Sequence, residues 1–114
     1  MIGAAKIQAA SKGVVSNFGV TISPTNIGEF STNGSSISAV VYSEVFNGTG
    51  PFLYSWSITG DSINIESENS DNTRFSASGF NSSYTETATI TVTDTGNADL
   101  KTSTSLIVVF TFEP

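Results

Sequence analysis

The chain has no cysteine and no histidine among its 114 residues. Without cysteine there is no disulfide, no thiolate nucleophile and no sulfur ligand for a metal. Without histidine, the commonest general base at neutral pH is missing, and so is the commonest transition-metal ligand. The many serine and threonine hydroxyls therefore lack their usual activating partner. Cations are scarce as well. Lys6, Lys12, Arg74 and Lys101 stand against ten carboxylates, for a net charge of −6. Four scattered cations cannot follow a phosphate backbone, so no nucleic-acid partner is expected. No apolar run approaches the ~20 residues that cross a bilayer as a helix. Lys6 and Lys12 also interrupt the apolar pieces of Met1 to Val15, which leaves no signal-peptide core. Neither a membrane partner nor a leader is expected.

What the chain does have is period-two alternation. Phe18, Val20 and Ile22 alternate with small polar residues until Pro24 ends the run. Ser36 to Phe46 reads as one strand, with Ile37, Ala39, Val41, Ser43 and Val45 on one face and Val40, Tyr42 and Phe46 on the other. Between these two runs, Thr25 to Ser35 reads as a loop or irregular edge pinned to the core by Ile27 and Phe30. Asn47-Gly48-Thr49-Gly50-Pro51 is a strong turn signal. It feeds a strand that carries Phe52, Tyr54, Trp56 and Ile58 on one face. Short strands are expected at Ile63 to Ile65 and at Thr73 to Ser78, where Phe75 and Ala77 share a face. The long run Tyr84 to Thr93 sets Ala88, Ile90 and Val92 against Thr89, Thr91 and Thr93. After an Asp94 to Asp99 hairpin loop, Thr102 to Phe112 closes the domain. About seven short strands and no helix is the pattern of an antiparallel β-sandwich. One domain of this length buries roughly two-thirds of its unfolded surface, enough for a core without staples.

Residues 1–17 stand apart, being rich in alanine, lysine and glycine and free of acids. They read as an arm that orders only when something packs on it, ahead of a sandwich domain over 18–114. Ile2, Ile7, Val14 and Val15 are its candidate assembly contacts, by strand addition or by lying in a partner's groove.

The run Gly48-x-Gly50-Pro51-x-x-Tyr54-x-Trp56, then Thr73-x-Phe75-Ser76, then Ala88-x-Ile90-x-Val92-Thr93-Asp94, resembles the immunoglobulin-like domains related to the polycystic kidney disease (PKD) repeat. The resemblance covers roughly Ser36 to Phe112. It implies an immunoglobulin-like, PKD-like fold without the antibody disulfide, and makes Trp56 the central core residue rather than a sugar platform. The segment Met1 to Ser35 is longer than the repeat usually carries and supplies room for an extra strand. Similar domains act as spacers or carbohydrate-contacting modules in bacterial secreted enzymes and adhesins. They are also appended to capsid, decoration and tail proteins of tailed phages.

No catalytic residue and no cofactor is expected. Asp61, Glu66, Glu68, Asp71, Asp94 and Asp99 fall in loops and read as a solvated acidic rim. Asp61 meeting Asp94 and Asp99 at one end would be needed for calcium. A glycosidase would need two carboxylates about 5–10 Å apart in a cleft. Tyr42 and Tyr84 read as rim residues, ring inward and hydroxyl outward. The unbroken apolar run Leu106 to Phe110 suggests cover on both faces.

The expected function is a non-enzymatic virion structural protein, a decoration or accessory protein on a tailed-phage capsid or tail. Its partners would be capsid or tail subunits, with host-surface glycans and further copies of itself on the particle as additional contacts. Assembly would take place in the host cytoplasm. The alternative is a carbohydrate-binding or adhesion module at a bacterial cell surface.

Overall fold

The computed structural model describes residues 17–114; residues 1–16, and with them Ile2, Ile7, Val14 and Val15, lie outside the described residues. Ten strands follow one another: β1 (Gly19–Ser23), β2 (Asn26–Ser31), β3 (Ser35–Ile37), β4 (Val41–Phe46), β5 (Phe52–Ile58), β6 (Ile63–Ile65), β7 (Asn72–Thr73), β8 (Phe75–Ser78), β9 (Ser82–Asp94) and β10 (Leu100–Phe112). No helix occurs among the described residues.

One layer runs in the order β2-β10-β9-β5. Its spine is the antiparallel pair β9–β10, in register from Ser82 opposite Phe112 to Asp94 opposite Leu100. On the other side of β9, β5 pairs antiparallel and sets Trp56 opposite Ile90. The other layer comprises two short ladders, β1-β4-β7 and β3-β8-β6, joined end to end where the chain passes from β3 to β4 and from β7 to β8.

The alternation seen in the sequence gives the core directly. Trp56, Phe75, Ala88, Ile90, Val92, Leu106, Val108, Phe110 and Phe112 are all buried between the layers. Trp56 meets Phe75 edge-on at 6.1 Å, and its indole N–H donates to the Ser70 carbonyl at 2.8 Å. A buried indole with its one donor satisfied contributes apolar burial worth roughly 2–3 kcal/mol without a polar penalty.

Two sequence expectations need correction. Thr25 to Ser35 is not a loop throughout: Asn26–Ser31 is a strand, paired parallel with β10 from Ile107 opposite Asn26 to Phe112 opposite Ser31. Ile27 faces the core as expected, but Phe30 points outward and is 64% exposed. Asn, Gly, Glu and Ser have little intrinsic strand preference, so β2 is held by the neighbouring backbone rather than by its own pattern. Ser36 to Phe46 is likewise two strands, not one. At the break, the buried Ser38 donates its N–H to the Phe75 carbonyl at 2.8 Å, and its Oγ accepts the Phe75 N–H at 3.0 Å. One side chain thus replaces a ladder bond and lets the chain bend, so Ile37 turns outward to 52% exposure.

Candidate interaction surface

The outward face of the β2-β10-β9-β5 layer is the most regular surface of the molecule. Along β9 it presents Thr85, Thr87, Thr89, Thr91 and Thr93, because their neighbours in sequence face the core. Opposite them on β10 stand Val109, Ile107, Ser105, Ser103 and Lys101 in turn. Two of these pairs bond across the ladder: Thr89 Oγ1 and Ser105 Oγ lie 2.8 Å apart, and Lys101 Nζ donates to Thr93 Oγ1 at 3.1 Å. One half of this face is therefore polar, with two of its cross-strand pairs hydrogen-bonded.

The other half is apolar. Ile107 is 46% exposed, and Val109 lies opposite Gly28, which has no side chain to cover it. Phe30 lies on the diagonal to Val109. Together Phe30, Val109 and Ile107 make an apolar strip across β2 and β10. The unbroken run at Leu106 to Phe110 is thus covered on one face only, by the opposite layer, among the described residues. A sheet face of this kind, apolar at one end and hydroxyl-rich at the other, can bury area against a partner while its polar part stays wet.

The loop carboxylates do not converge. Asp94 ends β9 opposite Phe52 at the start of β5, whereas Asp61 follows the end of β5. Seven strand residues separate those ends by roughly 20 Å. Asp94 is moreover no rim residue: it is fully buried, and its carboxylate accepts the backbone N–H groups of Thr49, Gly50 and Gly96 at 2.8, 2.9 and 3.2 Å. Its task is to hold the Asn47 to Pro51 turn against the last hairpin. No group of three or more metal-ligating side chains comes together among the described residues.

Sequence reasoning missed Glu86, which faces inward on the same strand. Its Oε2 accepts the Ser62 N–H at 3.1 Å, and its Oε1 is buried without a partner among the described residues. Glu86 and Asp94 are eight residues apart on one strand, roughly 27 Å, far beyond a catalytic carboxylate pair. The signal was in the alternation: both residues share the phase of Ala88, Ile90 and Val92.

The aromatic expectations divide. Tyr84 packs its ring on the core beside Phe112 at 6.0 Å, as expected of a rim tyrosine. Tyr42 is instead 60% exposed on the outer face of β4, beside a shallow groove of about 260 Å³ lined also by Thr21, Ser23 and Glu44. Tyr54 packs partly on the core. Burial first, and then the Asp71 carboxylate, hold its phenol above the ordinary tyrosine range.

A larger cleft of about 400 Å³ lies over the first half of β5, lined by Phe52, Leu53, Tyr54 and Ser55, by Asn69, and by Thr93 of the neighbouring β9. Leu53 is 62% exposed there.

No protein-family model matches the chain, and no curated protein matches it. Among solved structures, it is similar to the ASH / PapD-like domain of human CEP192 (PapD-like domain 7). That likeness has a TM-score of 0.58 at 10% identity, over 82% of this chain and 84% of that one. The titin M3 domain also aligns, with a TM-score of 0.45 at 17% identity, over 83% of this chain and 97% of that one. At such identities a likeness speaks for the fold and not for the work done with it. The fold is an immunoglobulin-like, all-β domain.

Proposed function

We propose that this chain is a non-enzymatic attachment module, an immunoglobulin-like decoration or accessory protein carried on the capsid or tail of a tailed phage. The observation that carries this reading is the strip Phe30, Val109 and Ile107, an apolar stripe on an otherwise wet sheet face. A stripe of this size gives a weak single contact. Repetition over a lattice of identical subunits would sum such contacts into firm attachment. The net charge of −6 keeps decorated particles apart. The resemblance of the Trp56 and Val92-Thr93-Asp94 segments to PKD-like domains favours the same setting, by analogy of fold.

The test is co-sedimentation of the full chain with purified capsids and tails of the phage that encodes it. Retention of the native chain, with loss on Ile107→Lys or Phe30→Ser, supports the reading. Free native chain, or variants retained as well as the native, overturns it.

A second reading rests on Tyr42, whose exposed ring beside a shallow groove of mixed lining suits one face of a sugar. On that reading the chain is a carbohydrate-binding or adhesion module at a bacterial surface. Millimolar or tighter glycan binding that disappears with Tyr42→Ala would favour it over lattice attachment.

A further inference from the structure

We propose that Asn33 is a self-modifying residue: its side-chain amide is lost to attack by the Gly34 nitrogen, and the turn between β2 and β3 converts to aspartate or isoaspartate without any enzyme. This goes beyond the attachment reading and needs no partner.

The chemistry requires an asparagine followed by a residue whose nitrogen can reach the side-chain carbonyl. Glycine suits it best, because it lacks the Cβ that would hinder the approach. Two asparagines of this chain precede glycine, Asn33 and Asn47, and both are exposed. The dipeptide alone does not rank them. The fold does.

At Asn33 the amide oxygen is the atom that is held. Oδ1 accepts the Ser35 N–H at 3.2 Å, and the Ser31 hydroxyl lies 2.8 Å from it. That hydroxyl divides its one proton between Oδ1 and the Ser35 carbonyl, which is 2.7 Å away. The bond to the N–H two residues on folds the side chain back over the Asn33–Gly34 peptide, whose nitrogen is the attacking atom. Both donors also sit where negative charge collects on Oδ1 once Cγ is attacked.

At Asn47 the amide nitrogen is held instead. Nδ2 donates to the Asn17 carbonyl at 3.1 Å, so the leaving group is tied to the body. The residues that follow are fastened as well. Asp94 accepts the Thr49 and Gly50 N–H groups at 2.8 and 2.9 Å, and a Cβ on Gly48 would strike the Phe52 ring. Ring closure there must wait for the turn to open.

The reaction balances with water alone. The Gly34 nitrogen bonds to Asn33 Cγ, the Cγ–Nδ2 bond breaks, and Nδ2 leaves as ammonia with the proton that Gly34 gives up. Water then opens the cyclic imide, its hydroxyl going to a carbonyl carbon and its proton to the nitrogen. Cleavage at Cγ leaves aspartate at position 33. Cleavage of the main-chain bond leaves isoaspartate, with the chain running through Cγ and longer by one carbon. Either product adds a negative charge to the −6 of the chain. Aspartate keeps an acceptor for the Ser35 N–H and strengthens that bond. Isoaspartate draws the acceptor into the main chain and loosens the entry to β3, where Ser35 pairs with Ser78.

The test is peptide mapping by mass spectrometry of the full chain held in mildly alkaline buffer, folded and in urea. In the folded chain Asn33 should convert at least about tenfold faster than Asn47, because only Asn47 waits for a turn to open. In urea the two rates should converge. Ser31→Ala should slow Asn33 several-fold and leave Asn47 unmoved, since one donor to the developing oxyanion is gone, and Ser31→Thr should restore the rate. Equal rates in the folded chain, or a faster Asn47, overturn the proposal. So does a gap that persists in urea, since the flanking residues rather than the fold would then set the order. An unchanged Asn33 rate in Ser31→Ala removes the hydroxyl from the assignment.

Discussion

Asp94 and Glu86 sit on the same strand and the same face, Asp94 at its end and Glu86 near its middle, and their surroundings treat them differently. Asp94 is wholly buried, with three backbone N–H donors on its two oxygens. Glu86 is half-buried, with one donor on Oε2 and none on Oε1 among the described residues. A buried carboxylate is tolerable when its lone pairs are met and costly when they are not. The Asp94 end can therefore be built around its charge, with two loops tied to it. The region around Glu86 relies on apolar packing next to a carboxylate that it only half accommodates. The same residue chemistry is a fastener at the strand's end and a mild liability near its middle.

The comparison breaks most visibly at Asp94. Asp94→Ala removes three charge-assisted bonds from a dry site and orphans three N–H groups. It should cost about 3 kcal/mol or more, read as a lower urea midpoint. Asp94→Asn, which keeps the shape but offers one acceptor where there were two, should cost roughly half that.

Gly96→Ala strikes the same end through space rather than charge. A Cβ at Gly96 would collide with the Gly50 carbonyl oxygen, so one of the two loops must move. A loss of about 2 kcal/mol is expected by thermal or urea melting, and it should add less than fully to Asp94→Ala because both loosen one junction. Full additivity would show that the two loops are not one unit.

Glu86→Gln probes the second carboxylate and should change stability by less than about 1 kcal/mol, since it removes a charge that is poorly met. If its cost matched that of Asp94→Asn, the two carboxylates would be alike and the contrast would fail.

The smallest effect concerns pH. Tyr54 has its phenol held above the ordinary value in the folded state by burial and by Asp71. Below the unfolded value of about 10 both states keep the proton and nothing is lost. Above it the unfolded chain ionises first, so stability should decline as pH rises through the folded value. Tyr54→Phe should flatten that decline in urea melts above pH 10, and Asp71→Asn should reduce it.

Much of this was legible from local pattern, and the misses share a cause. The phases of β5, β8, β9 and β10 were plain, because each strand buries one face and a two-residue period records it. Strand β2 was not plain: it has a single buried apolar residue, Ile27, and its partner lies some eighty positions away. Ser38 also escaped notice, since a serine that closes a ladder looks like any other serine. Phe30 and Ile107 were expected to be covered, because apolar residues usually are. The surface strip they form exists only because β2 and β10 lie side by side. Asp94 looked like a loop residue because nothing local foretells that two N–H groups of a turn some 45 positions away would join that of Gly96 in closing over it.

By itself, then, the order of residues determined the all-strand class, the buried tryptophan and the inward phase of the long strands, since those follow from alternation along one strand at a time. Tertiary structure alone decided which loops Asp94 would tie together, which apolar residues would meet on the outer face, and that the Glu68 to Ser70 segment would bond along β5. Those features are relations between segments far apart in the chain, set by strand order and register, and a single segment carries no record of its neighbours.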